Sequence, residues 1–164
     1  MELKRIEQIF GKDSKNLIDK TTDKGFKGAL ACLETFYYAF NNRDLDTFKK
    51  IWLNHELVQL NNPLGGIIRG IGPITELYDR IFNGQARVWV ELTDIVCFKS
   101  NDMISFAGRE IGEFSAQGQT IDLQIRTTRV LGYSDNQGQW FQLHHHGSID
   151  NVELLDRYQK AVRK

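Results

Sequence analysis

Near residue 86 the spacing of apolar residues changes from the helical period to the strand period. Before it, the apolar positions of residues 26–40 recur every three or four residues, which is one face of a helix. After it, apolar and polar residues alternate in four runs, at about 86–99, 103–115, 120–133 and 139–149, separated by short turn sequences. Strands of that length joined by tight turns form an antiparallel meander that must curl to bury one face. The sequence therefore predicts an α+β fold, with a strongly curved antiparallel sheet wrapped around N-terminal helices.

The helical segments are predicted from the same apolar spacing and from their capping residues. Asp44 is placed to cap a helix over 45–53, and Gly72-Pro73 is placed to open another that Asn83-Gly84 ends. Residues 2–10 are predicted as a short amphipathic helix and residues 151–164 as the last helix. We therefore divide the chain into an N-terminal helical extension, residues 1–22, and one α+β domain, residues 23–164.

Composition excludes several classes of function. The 21 basic residues balance 21 acidic ones, so the chain has no net positive charge that would attract nucleic acid or an anionic membrane. Cys32 and Cys97 lie in apolar segments rather than in a CxxC motif, which favours free thiols in a reducing compartment. The first twenty residues contain no apolar run long enough for a signal peptide or membrane span. We expect a cytoplasmic protein, and no cofactor, because neither GxGxxG nor a P-loop is present.

One face of the third long run carries a charged residue among apolar ones. Arg129 alternates with Ile125 and Leu131 in "IDLQIRTTRVL", and an unpaired guanidinium in a core is costly. Two interpretations follow. Arg129 is held by an internal ion pair or reaches out to water at the strand end, or it lines a cavity and pairs with an anionic ligand.

The second long run raises the same question. Arg109 shares a face with small residues such as Ser105 and Ala107, which would leave room beside the guanidinium. The opposite face is apolar too, which is expected if helices cover one face and a second subunit the other. A surface ion pair of Arg109 with Glu110 or Glu113 is the alternative.

Three of the four histidines are consecutive, in "WFQLHHHGSID". In a regular strand His144 and His146 face one way with Trp140, and His145 faces the other way with Leu143. His145 is then a candidate cavity group with a pKa near neutrality, suited to proton transfer, or an ordinary hydrogen-bonded core residue. His144 and His146 are a weaker candidate metal pair, because no compact set of residues supplies a third ligand.

The order of elements and several motifs resemble the nuclear transport factor 2-like superfamily, and most of all its SnoaL-like and ketosteroid-isomerase-like proteins. The resemblance covers about residues 26–150 and rests on "NNRDLD", on "NPLG" followed by "IIRG", and on "GQWFQLHHHGS". It implies a cone-shaped barrel with an apolar pocket at its open end, and a homodimer formed through the outer sheet face.

The resemblance also implies which chemistry is absent. The general base of ketosteroid isomerases falls at Asn62, which cannot abstract a proton, and their oxyanion-hole tyrosine falls at Phe36. Their protonated aspartate falls near Thr127 or Thr128. Isomerisation by that mechanism is therefore not expected.

A second part of the superfamily is also similar. "TRV" followed by "GQWFQLHHHGS" resembles the association domain of calcium/calmodulin-dependent kinase II, whose pocket arginines correspond to Arg109 and Arg129. A third arginine of that pocket falls at Gly147 and a histidine at Ile74. This resemblance implies an anion-favouring pocket and oligomerisation.

Three functions are compatible with the sequence. The favoured one is a pocket protein that binds a small, partly apolar, anionic molecule. The second is a cofactor-independent isomerase, cyclase, dehydratase or hydrolase with His145 as acid/base, and the third is a dimeric interaction domain. The expected ligand-binding residues are Phe36, Trp52, Asn62, Arg109 and Arg129.

Overall fold

The computed structural model describes residues 1–163, and it confirms the α+β fold. The helices are α1 (Phe26–Asn42), α2 (Leu45–Ile51), α3 (Ile71–Asn83) and α4 (Val152–Val162). The strands are β1 (Glu2–Ile6), β2 (Gln59–Asn61), β3 (Ile67–Arg69), β4 (Arg87–Lys99), β5 (Met103–Ala116), β6 (Gln119–Ser134) and β7 (Gln139–Ser148). The four long strands and the helices within 26–162 were predicted from the sequence, whereas β3 was missed.

The seven strands form one curved, open sheet in the order β1-β4-β5-β6-β7-β2-β3. Strands β4 to β7 are the predicted antiparallel meander, and β2 pairs with β7 in parallel. The two short strands therefore extend the sheet beyond β7, and the "PLGG" turn between them brings Asn62 beside the end of β7.

Two local features allow the long strands to curve. The pairing of β4 with β5 shifts register between Thr93 and Val96, and Asp94 there has a φ of 49°, as expected of a bulge that bends a sheet. Further along β5, a Cβ atom on Gly112 would lie 2.0 Å from the Trp89 carbonyl oxygen. Only glycine permits this close approach of the two backbones.

The prediction of a helix over residues 2–10 is wrong. Residues 2–6 form β1, which pairs antiparallel with β4 from Glu2↔Lys99 to Ile6↔Ile95. Pairing satisfies backbone groups along an otherwise open edge of the sheet, and this tertiary gain outweighs the apolar spacing of a nine-residue segment, too short to be a stable helix by itself. The boundary proposed at residue 22 stays a prediction.

The concave face of the sheet holds an aromatic core. Rings from α1, α2 and α3 meet there, with Phe48 and Tyr78 centroids 4.1 Å apart and Phe36 within 6.4 Å of both. These contacts fix the inner faces of the helices against the sheet. Among residues 1–163 no helix is long and apolar enough to cross a membrane.

Candidate functional site

A cavity of about 520 Å³ lies between the concave face of the sheet and the helices, within the size range of sites for small organic ligands. Its wall is mostly apolar, with Phe36 and Phe40 from α1, Leu123 and Ile125 from β6, and Ala161 from α4 among the residues that line it. The exposed polar side chains Arg80, Gln85 and Gln117 also line it. The cavity therefore has an apolar wall and a polar rim.

The buried guanidinium of Arg129 forms part of the cavity wall and is neutralised from within the protein. Arg129 is 1% exposed, and its Nη2 donates to Oε1 of Glu110 at 2.8 Å. Its Nε donates to the hydroxyl of Tyr37 at 3.0 Å and its Nη1 to Oε1 of Gln142 at 2.9 Å. The guanidinium also lies 3.4 Å from the ring centroid of Phe36. Of the two interpretations of Arg129, the internal ion pair is thus present, beside a cavity.

These partners explain the titration of the buried groups. Burial acts to lower the pKa of Arg129, but Tyr37 and Glu110 outweigh it and the pKa is raised. Burial raises the pKa of Tyr37 well above its ordinary value, because a phenolate there would lose its hydration. The arginine is therefore permanently charged, and the neutral hydroxyl of Tyr37 donates a hydrogen bond to Oε1 of Glu110 at 2.7 Å.

Glu110 was not assigned to this network from the sequence. It is 3% exposed and lines the cavity. Arg129 and Tyr37 both donate to Oε1 of Glu110. Within residues 1–163 Oε2 has no hydrogen-bond partner. The available signal was that Glu110 shares a strand face with Phe106 and Phe114. That face was recognised as apolar, but the acidic residue on it was considered as a surface partner of Arg109 or a third metal ligand, and not as the partner of Arg129.

His145 also lines the cavity, although the predicted face pattern of β7 is wrong. The ladder with β6 passes from Val130↔His144 to Leu131↔Gln142, so an extra residue, Leu143, forms a bulge. Because opposite residues share a face, His145 lies on the inner face with Gln142 rather than with Leu143. Trp140, which the regular pattern places on the face of His144 and His146, is fully buried, and its Nε1 donates to the carbonyl of Asp23 at 3.0 Å.

The expected near-neutral pKa of His145 is wrong as well. Burial first, and then the charge of Arg129, lowers the pKa of His145 well below its ordinary value of 6.5, so the ring is neutral at pH 7. Its Nε2 lies 3.0 Å from the hydroxyl of Thr127, which itself donates to the carbonyl of His146. Because that hydroxyl has a single proton, both contacts are satisfied together in the tautomer that carries its proton on Nε2. Nδ1 is left as a buried acceptor with no partner among the described residues.

Of the other predicted site residues, two line the cavity and two lie outside it. Phe36 and Asn62 line the cavity, and Oδ1 of Asn62 accepts from the backbone N–H of Leu64. Trp52 is 1% exposed and lies outside the cavity lining. Arg109 also lies outside it, because its side chain is on the outer face of β5, where it is opposite Thr93 and Arg126. The expectation that Trp52 and Arg109 line the cavity is therefore wrong.

His144 and His146 share the outer face of β7, with ring centroids 6.5 Å apart. His144 Nδ1 lies 3.1 Å from the carbonyl oxygen of Gln59, and His146 Nδ1 lies 3.4 Å from Nδ2 of Asn61. Over residues 1–163 no group of three His, Cys, Asp or Glu side chains is arranged to hold a metal ion. The pair therefore contacts strand β2, and it has no third ligand in the part of the chain that the structure describes.

The rim of the cavity is held by Arg43, which follows α1 in a left-handed conformation with a φ of 57°. Its Nη1 donates to the carbonyls of Phe82 and Gly84, and its Nη2 donates to that of Ala86. These bonds satisfy carbonyls at the end of α3 and connect them to the start of β4. Arg43 thus positions the segment that forms one side of the cavity.

The model of the SnoaL-like domain matches residues 29–151, three quarters of the chain, and the protein belongs to that family. Several solved structures share the fold. A proposed calcium/calmodulin-dependent protein kinase type II association domain from Thiobacillus denitrificans has a TM-score of 0.59 and 21% identity, over 74% of this chain and 94% of that one. A search of curated proteins found no match.

Two further structures extend the comparison. A proposed dehydratase of the NTF2-like family from Streptomyces avermitilis has a TM-score of 0.65 and 16% identity, over 82% of this chain and 99% of that one. An NTF2-like protein from Cytophaga hutchinsonii has a TM-score of 0.59 and 18% identity, over 73% and 93%. At these identities the likeness establishes the NTF2-like fold, as the sequence motifs predicted, and leaves function to the site itself.

Proposed function

We propose that this protein binds a small, mainly apolar, uncharged organic molecule in the cavity of its curved sheet. The observation that carries the proposal is the cavity of about 520 Å³, whose apolar wall contains one internally neutralised ion pair. Pockets of this size with a few convergent polar groups are the usual form of small-molecule sites. The SnoaL-like family membership supports the same class of function.

The ion pair changes the ligand that the sequence suggested. An anionic ligand was expected to pair with Arg129 and Arg109, but Glu110 already compensates Arg129 and Arg109 lies on the outer face. A ligand carboxylate would add a second negative charge beside Glu110 in a water-poor site, which is unfavourable. The proposal therefore concerns an uncharged ligand.

The test uses the neutral fluorescent probe N-phenyl-1-naphthylamine, which brightens in apolar surroundings. We expect saturable binding at one site per chain. Val88→Trp, in the cavity lining on β4, should abolish it by filling the space. Val96→Trp makes the same change on the same strand but outside the lining, and it should leave binding intact. Equal binding by both variants, or none by the wild-type protein, would overturn the proposal.

A second candidate function is proton transfer to or from a bound ligand without a cofactor. It is supported by one acceptor atom in a residue that lines the cavity, Oε2 of Glu110, which has no hydrogen-bond partner within residues 1–163. Nδ1 of His145 has no partner there either, but surrounding atoms cover it. A carboxylate or imidazole beside an apolar ligand is the usual group for abstracting a proton next to a carbonyl.

Proton exchange tests this candidate directly. Added protein should accelerate exchange of the α-protons of 2-indanone in D₂O, measured by NMR. Loss in Glu110→Gln alone assigns the base to Glu110, and loss in His145→Gln alone assigns it to His145. Exchange no faster than in buffer, with 2-indanone bound, would exclude this function for such ketones.

A third candidate is self-association through the outer face of the sheet, which the sequence also suggested. Supporting it, Met103 and Ile111 on the outer face of β5 are 49% and 36% exposed, and exposed apolar residues on one face favour an interface. The structural likeness to association domains is compatible with this role. The mass of the protein in solution, measured by light scattering, tests it.

A further inference from the structure

Three polar groups in residues that line the cavity come from three different elements and have no hydrogen-bond partner within residues 1–163. They are Oε2 of Glu110 on β5 and the hydroxyls of Tyr78 on α3 and Tyr158 on α4. All three residues line the cavity. In the described part of the chain, neither tyrosine hydroxyl makes a hydrogen bond, and neither hydroxyl is sealed away from the cavity by surrounding atoms.

The three groups belong to one electrostatic environment. Glu110 contributes to raising the pKa of both Tyr78 and Tyr158, although burial is the larger cause in each case. The pKa of Tyr158 is raised to about 12, so both phenols keep their protons at neutral pH. The cavity thus offers one charged acceptor and two neutral hydroxyls that can donate.

The buried cation near these atoms, Arg129, is already paired within the protein. Arg129 is bound to Glu110, Tyr37 and Gln142, so the guanidinium and the carboxylate together carry no net charge. A ligand group that only accepts hydrogen bonds leaves the Glu110 oxygen unsatisfied once water is displaced, which is costly. A group that donates to Oε2 and also accepts from a tyrosine satisfies the site.

We infer that the cavity recognises its ligand through a hydroxyl group, as an uncharged alcohol whose O–H donates to Glu110 and whose oxygen accepts from Tyr78 or Tyr158. The inference rests on the proposed function and narrows it to one class of ligand. The apolar part of the alcohol occupies the space between Leu123, Ile125 and the aromatic rings of α1.

Four indanes of nearly equal shape test this inference by displacing N-phenyl-1-naphthylamine from the wild-type protein. They are 2-indanol, 2-methoxyindane, 2-methylindane and indane-2-carboxylate. Because a hydrogen bond to a charged group is worth about tenfold or more in affinity, we expect 2-indanol to bind at least about tenfold more tightly than the other three. The ether is the decisive control, since it keeps the oxygen and lacks the proton.

Substitutions assign the preference to the named groups. Tyr158→Phe and Tyr78→Phe should each reduce the preference for 2-indanol over 2-methylindane by several-fold, whereas Tyr38→Phe, outside the cavity lining, should not. Glu110→Gln should reverse the order, because the amide can donate and Arg129 is left as a net positive charge. The carboxylate should then bind better than the alcohol. If Glu110→Gln does not fold, the two tyrosine variants still decide.

The outcomes distinguish a failure of this inference from a failure of the proposed small-molecule binding. Equal affinity for 2-indanol, its ether and the hydrocarbon overturns the inference and leaves a general apolar pocket. Tightest binding of indane-2-carboxylate by the wild-type protein also overturns it, and restores the anionic ligand. If the fluorescent probe itself does not bind, the proposed function fails.

Discussion

Removing one member of the buried ion pair should cost far more than removing both. Glu110→Gln deletes the counter-charge of a guanidinium that is 1% exposed. At the observed N–O distance of 2.8 Å, two unit charges with an effective dielectric constant of about 20 attract each other by about 6 kcal/mol. The glutamine and the contacts to Tyr37 and Gln142 recover part of this. We therefore expect a loss of about 3–5 kcal/mol in the free energy of unfolding.

The double variant distinguishes a buried pair from two independent residues. Arg129→Met leaves the carboxylate of Glu110 unpaired and should also be strongly destabilising. Glu110→Gln with Arg129→Met buries no charge and should be more stable than either single variant, so the coupling energy should exceed the larger single loss and be at least about 3 kcal/mol.

Urea unfolding of the four proteins at pH 7, followed by circular dichroism and tryptophan fluorescence, gives the four free energies of the cycle. A coupling energy below about 0.5 kcal/mol would refute the reasoning, because neighbouring residues that behave additively do not interact. Arg5→Met with Asp94→Asn supplies a matched control at an exposed ion pair of 3.1 Å, where the coupling should be at most about 1 kcal/mol.

Three further changes test the titration, the backbone approach and the outer face. Because burial lowers the pKa of His145 below 6.5, the unfolded chain binds the proton first as pH falls. From pH 7 to 5.5 the protein should lose about 1.3 kcal/mol of stability that His145→Gln does not lose in parallel urea titrations; identical pH slopes would contradict this. Gly112→Ala should lower the melting temperature because its Cβ would overlap the β4 backbone, whereas Gly72→Ala in α3, with open space around it, should hold or raise it; equal shifts would argue against the close approach. Ile111→Glu should halve the mass seen by light scattering if the outer face forms a dimer, and Leu57→Glu, 70% exposed elsewhere, should not; a monomeric wild-type protein would exclude this interface.

Much of the architecture could be predicted because it depends on periodicity. The change from helical to alternating spacing near residue 86 located the four long strands within a few residues of their observed ends. Two short strands were not predicted. Strands β1 and β3 are five and three residues long, and each is defined by pairing with another strand. A pattern of so few residues does not distinguish a strand from a helical turn.

The site was predicted only in part. The alternation of apolar and polar residues predicts which face of a regular strand each side chain lies on, but it does not predict where a bulge interrupts the strand. Arg129 was correctly placed on the inner face of β6 by its apolar neighbours. His145 was placed on the inner face by a pattern that did not include the bulge at Leu143. Arg109 was assigned to the wrong face because small neighbours were taken as a sign of empty space. They lie on the outer surface of β5, where Ser105 and Ala107 pack no core.

The charge of the cavity depends on an ion pair between two strands, which the sequence of one strand alone does not reveal. Glu110 is opposite Ile125 in the β5–β6 ladder, and Arg129 lies four residues further along β6, a distance of about 13 Å along the strand. Two long side chains on the same face bridge it, and the bulge that turns Gln142 inward supplies a further acceptor for the guanidinium. An arginine on a core face therefore predicts an anion site only when no carboxylate on a neighbouring strand shares that face. Here Glu110 does share it, and the same residue that removes the anion preference leaves a free oxygen to bind a hydroxyl group.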